Sequence, residues 1–264
     1  MKLNWVPGWT LLLRNKRLRG NGMADKLVEK RVLQAYQCDR FSNVRPLILM
    51  NELQSIADRH AEILGCGRTY CMEHNIGWVV MYYLVDIIEL PTEGEELTFS
   101  TWPSCQDALR ATRDFEIHGA DGRLMVRATS QWILIDMTHR RPLPLAAHLS
   151  PDVVVPTRAY GCAFEKFPDF DTTKTHVMKC RFDDIDVNQH INNAVYAVWA
   201  TESVGYAYRS THKLKKIDIN FKKEISPDTP EICIDVAIDG NTSRHKIRTH
   251  DTIHAIVICQ WESI

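Results

Sequence analysis

The feature that most constrains this chain is a repeated order of elements: an amphipathic helix followed by a run of strands, met twice. Over residues 45–65 the apolar side chains Leu49, Leu53, Ile56, Ala57, Ala61 and Leu64 recur in steps of four, three and one, the spacing of one helix face. Pro46 suits the first turn and Gly65 the C-terminal cap. Residues 76–90 read as a strand apolar on both faces, 91–96 as a turn, and 97–102, 110–118 and 124–136 as returning antiparallel strands. Residues 140–175 hold five prolines and no sustained period, as a surface connection would. The pattern then returns: a strand at 176–182, a polar loop at 183–193, a helix presenting Val195, Val198, Trp199 and Tyr206, and strands at 217–221, 232–238, 246–249 and 254–261. Gly65 and Gly205, Pro91 and Pro227, and Trp132 and Trp261 are matching landmarks of the two halves.

A sheet that curls around such a helix buries the helix's apolar stripe, and two such units can pair their open sheet edges. The expected fold is therefore α+β, a double hot-dog: two repeats of a long helix wrapped by a curved antiparallel β-sheet. Residues 23–145 form the first half, 146–175 a linker and 176–264 the second half. Residues 1–22 hold Lys2, Arg14, Lys16, Arg17 and Arg19 but no acid, and lack the order of a secretory signal. They are expected to be a disordered or mis-started leader.

The formal charge is −1, from 32 Lys+Arg against 33 Asp+Glu, so no global field draws the chain to nucleic acid or a membrane surface. The longest nearly unbroken apolar run, residues 78–85, is far short of the roughly 20 residues of a membrane span. Eight cysteines are scattered without a C-x-x-C pair, which argues against a zinc ribbon and for reduced thiols in a cytoplasmic protein. Gly65-Cys66-Gly67 follows a helix and lacks a third glycine, so it is no dinucleotide loop; Ser203 lacks the G-x-S-x-G elbow. His250 and His254 have zinc-pair spacing in a strand-and-hairpin context, which does not suit a metal site.

The densest polar cluster is residues 183–193, ahead of the second helix. Asp183, Asp184 and one of Asn192 and Asn193 read as a solvated loop with its N-cap. Asp186, Asn188 and His190 lie two apart and would share one side of an extended backbone, where an acid, an amide and an imidazole can orient, polarise and move protons. The helix N-terminus behind them offers N–H groups to an oxyanion.

Residues 186–193, with Tyr196, Trp199, Glu202 and Ser203 after them, resemble the acyl-acyl carrier protein thioesterases of plants and bacteria. The resemblance runs from Val32 to Ile264 and includes Trp78-Val79-Val80, Thr101-Trp102, Arg113-Asp114, Trp132 and Thr138 with Arg140-Arg141. It implies a double hot-dog that hydrolyses fatty acyl thioesters on acyl carrier protein, with neither cofactor nor metal, and catalytic roles for Asp186, Asn188, His190 and Glu224. Plant members carry a Glu-Cys pair where this chain has Glu224 and Ile225, so an activated water takes the place of a thiolate. Glu224 or His190 would be the base, and Asp186 would orient His190 or attack to form an anhydride. A coenzyme A thioesterase, a hydroxyacyl-thioester dehydratase and a non-catalytic acyl-binding module of the same fold remain the alternatives. The partner is acyl carrier protein bearing a fatty acyl-phosphopantetheine chain, with a homodimer as an option. Lys213, Lys215, Lys216, Lys222, Lys223, Arg110 and Arg113 read as solvated basic faces suited to an acidic carrier, and Glu202 as a satisfied core carboxylate.

The first half looks degenerate. Asp39 and Asn43 are four apart, a spacing expected not to form the same cluster, and the Pro91–Pro227 pairing puts Ile88 opposite Glu224. One active site per chain is expected, with chemistry in the second half and much of the acyl pocket, along residues 78–84 and the first helix, in the first.

Overall fold

The computed structural model describes residues 25–161 and 164–264; the leader expected at residues 1–22 and Cys162 lie outside the described residues. The first helix, α1 (Pro46–Ile63), buries Leu49, Met50, Leu53, Ile56, Ala57 and His60, so the buried stripe ends on a histidine and does not run on through Ala61 and Leu64. Five strands belong to the same half: β1 (Leu27–Val32), β2 (Ile76–Ile87), β3 (Glu96–Gln106), β4 (Arg110–Gly119) and β5 (Leu124–Asp136), with a short helix, α2 (Arg68–His74), between α1 and β2. The second half comprises β6 (Lys174–Met178), α3 (Asn193–Ser203), α4 (Tyr206–Arg209), β7 (His212–Phe221), β8 (Ile232–Asp239), β9 (Thr242–Thr249) and β10 (Thr252–Ser263).

The strands form one antiparallel sheet in the order β1-β3-β4-β5-β2-β7-β10-β9-β8-β6, each half contributing five. The halves join where β2 pairs with β7, through Tyr82↔Asn220, Leu84↔Asp218 and Asp86↔Lys216. The helices α1 and α3 pack on each other and on the inner face of the sheet, which carries one core through both halves. This is the double hot-dog. Among the described residues no helix is long and apolar enough to cross a membrane.

Sequence reading ran the second helix through Tyr206. Instead α3 stops at Ser203, Gly205 takes a φ of +92°, and the chain turns into α4 with Tyr206 exposed. That conformation is costly for any residue with a Cβ. Two expectations about charge also change. Glu202 is exposed and pairs with Arg209, so it is no core carboxylate. Arg113 is buried, donating to Thr101 Oγ1 (3.2 Å) and meeting His60 Nδ1 (3.0 Å). Burial lowers Arg113 to about 10, and burial with the Arg113 charge pushes His60 down to about 3, so His60 is the neutral acceptor.

Between the halves, residues 157–160 and 164–167 strap the outer face of the sheet, and β6 begins at Lys174, inside the linker expected to run to 175. Trp102 Nε1 donates to Thr157 O (2.6 Å), Arg158 pairs with the fully buried Asp114 (2.9 Å), and Tyr160 donates to Asp86 Oδ1 (2.7 Å). Phe164 and Phe167 lie against Tyr82, with centroids at 5.5 and 6.0 Å.

Candidate active site

Asp186, Asn188 and His190 come together on a tight turn and not along an extended strand. Asp186 N–H donates to His190 O (2.8 Å), Gln189 N–H donates to Asp186 O (3.0 Å), and Gln189 sits in the left-handed region at φ +62°. The Asp186 carboxylate builds this turn: Oδ1 accepts the N–H groups of Asn188 (2.8 Å) and His190 (3.2 Å), and Oδ2 accepts Asn188 Nδ2 (3.3 Å). Facing by strand alternation is therefore replaced by a turn that the acid itself closes. Below it, Asp184 is fully buried and not solvated, because Arg181 donates to it from N, Nε and Nη2.

Asn192 is the N-cap of α3. Its Oδ1 accepts Ala194 N–H (2.9 Å), and Val195 N–H donates to Asn192 O (2.9 Å). These two N–H groups of the first turn are thus already taken, which corrects the expectation that they serve an oxyanion. Asn192 Nδ2 also donates to Asn51 Oδ1 on α1 (3.0 Å), tying the turn to the first half.

Glu224 follows β7 and comes within ion-pair range of the turn: its Oε2 lies 3.7 Å from His190 Nε2. Its segment is held from three sides. The half-exposed Arg140, from the loop after β5, donates to Glu224 Oε2 at 2.5 Å. The buried His254 on β10 bonds through Nδ1 to the carbonyls of Lys223 and Glu224, both 3.0 Å, so that nitrogen is the donor. The Tyr196 hydroxyl on α3 bonds the backbone at Ile225, and burial, the largest influence, raises its pKa above the usual phenol range. Arg140, His254 and Tyr196 were missed as supports of Glu224 because nothing in local spacing connects them to it. Ile225, next to Glu224, is buried with 1% exposure.

The first half repeats the turn with different side chains. The strand exits match Ile87 to Phe221, since Met125 O accepts Ile88 and Glu89 N–H as His254 O accepts Lys222 and Lys223 N–H. That register places Leu90, and not Ile88, opposite Glu224. The four-residue spacing of Asp39 and Asn43 does make the same turn, so the first half lacks the cluster because Phe41 and Asn43 replace Asn188 and His190. A small, solvent-open depression lies at this counterpart, between Asp39, Asn43, Leu90, Thr201, Leu214 and Trp261. It lies apart from His190 and Glu224.

The family model for the acyl-ACP thioesterase N-terminal domain matches residues 25–152, and that for the acyl-ACP thioesterase C-terminal domain matches residues 168–263. The chain is 27% identical to a chloroplastic palmitoyl-acyl carrier protein thioesterase of Gossypium hirsutum, over 92% of this chain and 63% of the relative. It is 25% identical to the chloroplastic oleoyl-acyl carrier protein thioesterase 1 of Arabidopsis thaliana, over 82% of this chain and 64% of the relative. It thus covers a little under two thirds of these plant proteins. Among solved structures, a Lactobacillus plantarum protein described as an oleoyl thioesterase superposes with a TM-score of 0.80 at 26% identity, over 91% of this chain and 97% of that one. The 12:0-ACP thioesterase of Umbellularia californica shares the fold, with a TM-score of 0.77 at 19% identity over 90% and 98% of the two chains.

Proposed function

The chain belongs to the acyl-ACP thioesterase family, and on that footing we propose that it hydrolyses the thioester of a fatty acyl chain on the phosphopantetheine arm of acyl carrier protein, releasing free fatty acid and ending chain elongation. The observation that carries this reading is the convergence of Asp186, Asn188, His190 and Glu224 on one turn and the segment facing it.

In this mechanism His190 takes a proton from water as the water attacks the thioester carbonyl. Glu224, 3.7 Å from Nε2, stabilises the imidazolium that forms. The exposed Asn188 amide donates one hydrogen to Asp186 and has a second to offer the developing oxyanion. Asp186 favours the water route over an anhydride, because Oδ1 already accepts two N–H groups and Oδ2 the Asn188 amide, leaving a weak nucleophile. The thiolate of the carrier's arm leaves readily, so neither metal nor cofactor enters.

Exposed Lys222 and Lys223 beside Glu224, with Phe182 (89% exposed) and Val187 (73%) beside the turn, suit a carrier whose surface is acidic with an apolar centre. The acyl chain is assigned to the first half by the pseudo-symmetry. The relation that carries Asp39 onto Asp186 carries Leu214 back to Val80 and Trp261 back to Trp132, so those two residues stand where the counterpart depression has its apolar walls. Both halves of one chain supply the site, so a homodimer is not needed to complete it. The seven described cysteines are free thiols, in keeping with a reducing compartment, which we take to be the cytoplasm.

The test is thiol release by the purified chain from acyl-carrier proteins and matched acyl-CoAs of several lengths. Stoichiometric thiol and fatty acid, with higher kcat/KM on the carrier, are expected. Preference for the CoA esters would move the substrate to coenzyme A, and enoyl product without thiol would make the chain a dehydratase.

A further inference from the structure

We propose that Arg140 is a positioning residue of the hydrolytic site: delivered by the first half, its guanidinium holds the Glu224 carboxylate facing His190 and takes up part of its negative charge, leaving the imidazole free to accept the proton from water. The inference rests on the thioesterase reading and adds a residue to it.

Arg140 is placed by a loop built for the purpose. Asp136, at the end of β5, accepts through Oδ1 the N–H groups of Thr138 (2.8 Å) and His139 (2.7 Å) and meets His139 Nδ1 (3.2 Å). Arg140 N–H donates to Asp136 O and Asp136 N–H donates to Arg141 O, both 2.9 Å. Asn75 Nδ2 donates to Thr138 Oγ1 (2.8 Å), anchoring the loop to the start of β2. Within this closed turn Arg140 adopts a φ of +54°, an uncommon conformation for a residue with a long side chain. Such a conformation persists where its surroundings impose it, and its outcome here is a charge-assisted bond across the two halves, at 2.5 Å to Glu224 Oε2.

That same oxygen is the one 3.7 Å from His190 Nε2, so guanidinium and imidazole share one carboxylate oxygen. The other groups around the pair act differently. Lys222 and Lys223 flank Glu224 on its own segment, Asp186 is committed to its turn, and His254 binds only backbone carbonyls. The Tyr196 hydroxyl is bonded to the Ile225 backbone, and Cys180, ahead of the turn, has its thiol raised chiefly by burial. Among the described residues, Arg140 is the cation hydrogen-bonded to the Glu224 carboxylate. Without it, the full carboxylate charge falls on His190 and holds the imidazole proton to higher pH, which is unfavourable for a base.

The experiment compares kcat, KM and the pH–rate profile of the unaltered chain, Arg140→Gln and Arg140→Lys on one acyl-carrier substrate, with thermal melts to establish folding. Arg140→Gln is expected to lower kcat about tenfold with little change in KM and to move the acid limb upward by about half a pH unit or more. Arg140→Lys keeps a cation but not the guanidinium fork, so it restores the limb and only part of kcat. An unmoved limb in Arg140→Gln, whether kcat is unchanged or the loss falls in KM as for a carrier contact, overturns the inference. Absence of thiol release by the unaltered chain overturns the thioesterase reading and this inference with it.

Discussion

Asp39 and Asp186 stand 147 residues apart (186 − 39) and close the same turn. Asp39 Oδ1 accepts Phe41 N–H at 2.8 Å and Asn43 N–H at 3.1 Å, where Asp186 Oδ1 accepts Asn188 N–H at 2.8 Å and His190 N–H at 3.2 Å. Ser42 and Gln189 take the same left-handed φ, +60° and +62°. The acid thus closes the turn in both halves, and the halves differ in the side chains two and four residues on, Phe41 and Asn43 in the first against Asn188 and His190 in the second.

The two roles separate by substitution. Asp39→Ala is expected to cost about 1 kcal/mol of stability while leaving turnover of the folded protein nearly intact. Asp186→Ala should lose stability and about a hundredfold or more in turnover. Asp186→Asn keeps an Oδ1 for the turn but cannot accept the Asn188 amide on its second atom, so its Tm should stay within about 2 °C while turnover still falls. Melts and initial rates on the three variants check this; a fully active Asp186→Asn would reduce the acid to a turn-former.

Asp218 gives a pH signature at the seam between the halves. Burial raises it to about 6, opposed by its bond with Lys216 (2.9 Å), and its buried Oδ1 has no hydrogen-bond partner among the described residues. Its folded pKa lies above the unfolded value, so the stability it contributes is full below about pH 4 and is lost as pH rises through 6. Asp218→Asn should therefore raise Tm at pH 8 and give little or no gain at pH 4. An equal gain at both values would show that the carboxylate charge is not what strains the site.

Chain-length preference should respond to one face of β2. The register shift between Val80 and Tyr82 keeps Trp78, Val80 and Tyr83 on the inner side while Tyr82 lies under the strap's Phe164 and Phe167. Val80→Trp is expected to shift the product profile toward shorter acyl chains, and Tyr82→Ala to leave it unchanged. Product analysis across acyl lengths decides; a shift from Tyr82→Ala alone would place the pocket on the outer face.

Alkylating reagents should spare the chemical step. The segment at Glu224 carries Ile225 and no cysteine, and Cys105 is the one exposed cysteine among the described residues. Stoichiometric inactivation prevented by substrate would reveal a catalytic thiol.

The fold was legible where burial follows from local pattern, as in the α1 stripe and the long strands. The helix α2 escaped because seven residues after Gly67 are too few for a period to register, and β1 because Glu29, Lys30 and Arg31 dilute its alternation. The residues of the turn were legible by type, yet their geometry was not, because the left-handed Gln189 gives no sequence signal. Arg113 and Asp184 looked solvated because their burial is made by distant partners, His60 and Thr101 for the first, and by a bidentate arginine on a closed turn for the second. Arg140 and Glu224, 84 residues apart, meet only once the two halves have paired.

The most direct measurement sets His190 against its structural counterpart: the rate of thiol release from acyl-carrier protein by His190→Ala and by Asn43→Ala, each shown by its melt to be folded. A single site in the second half requires His190→Ala to lose about two or more orders of magnitude and Asn43→Ala to keep nearly full activity. Near-normal turnover in His190→Ala, or an equal loss in Asn43→Ala, would contradict it.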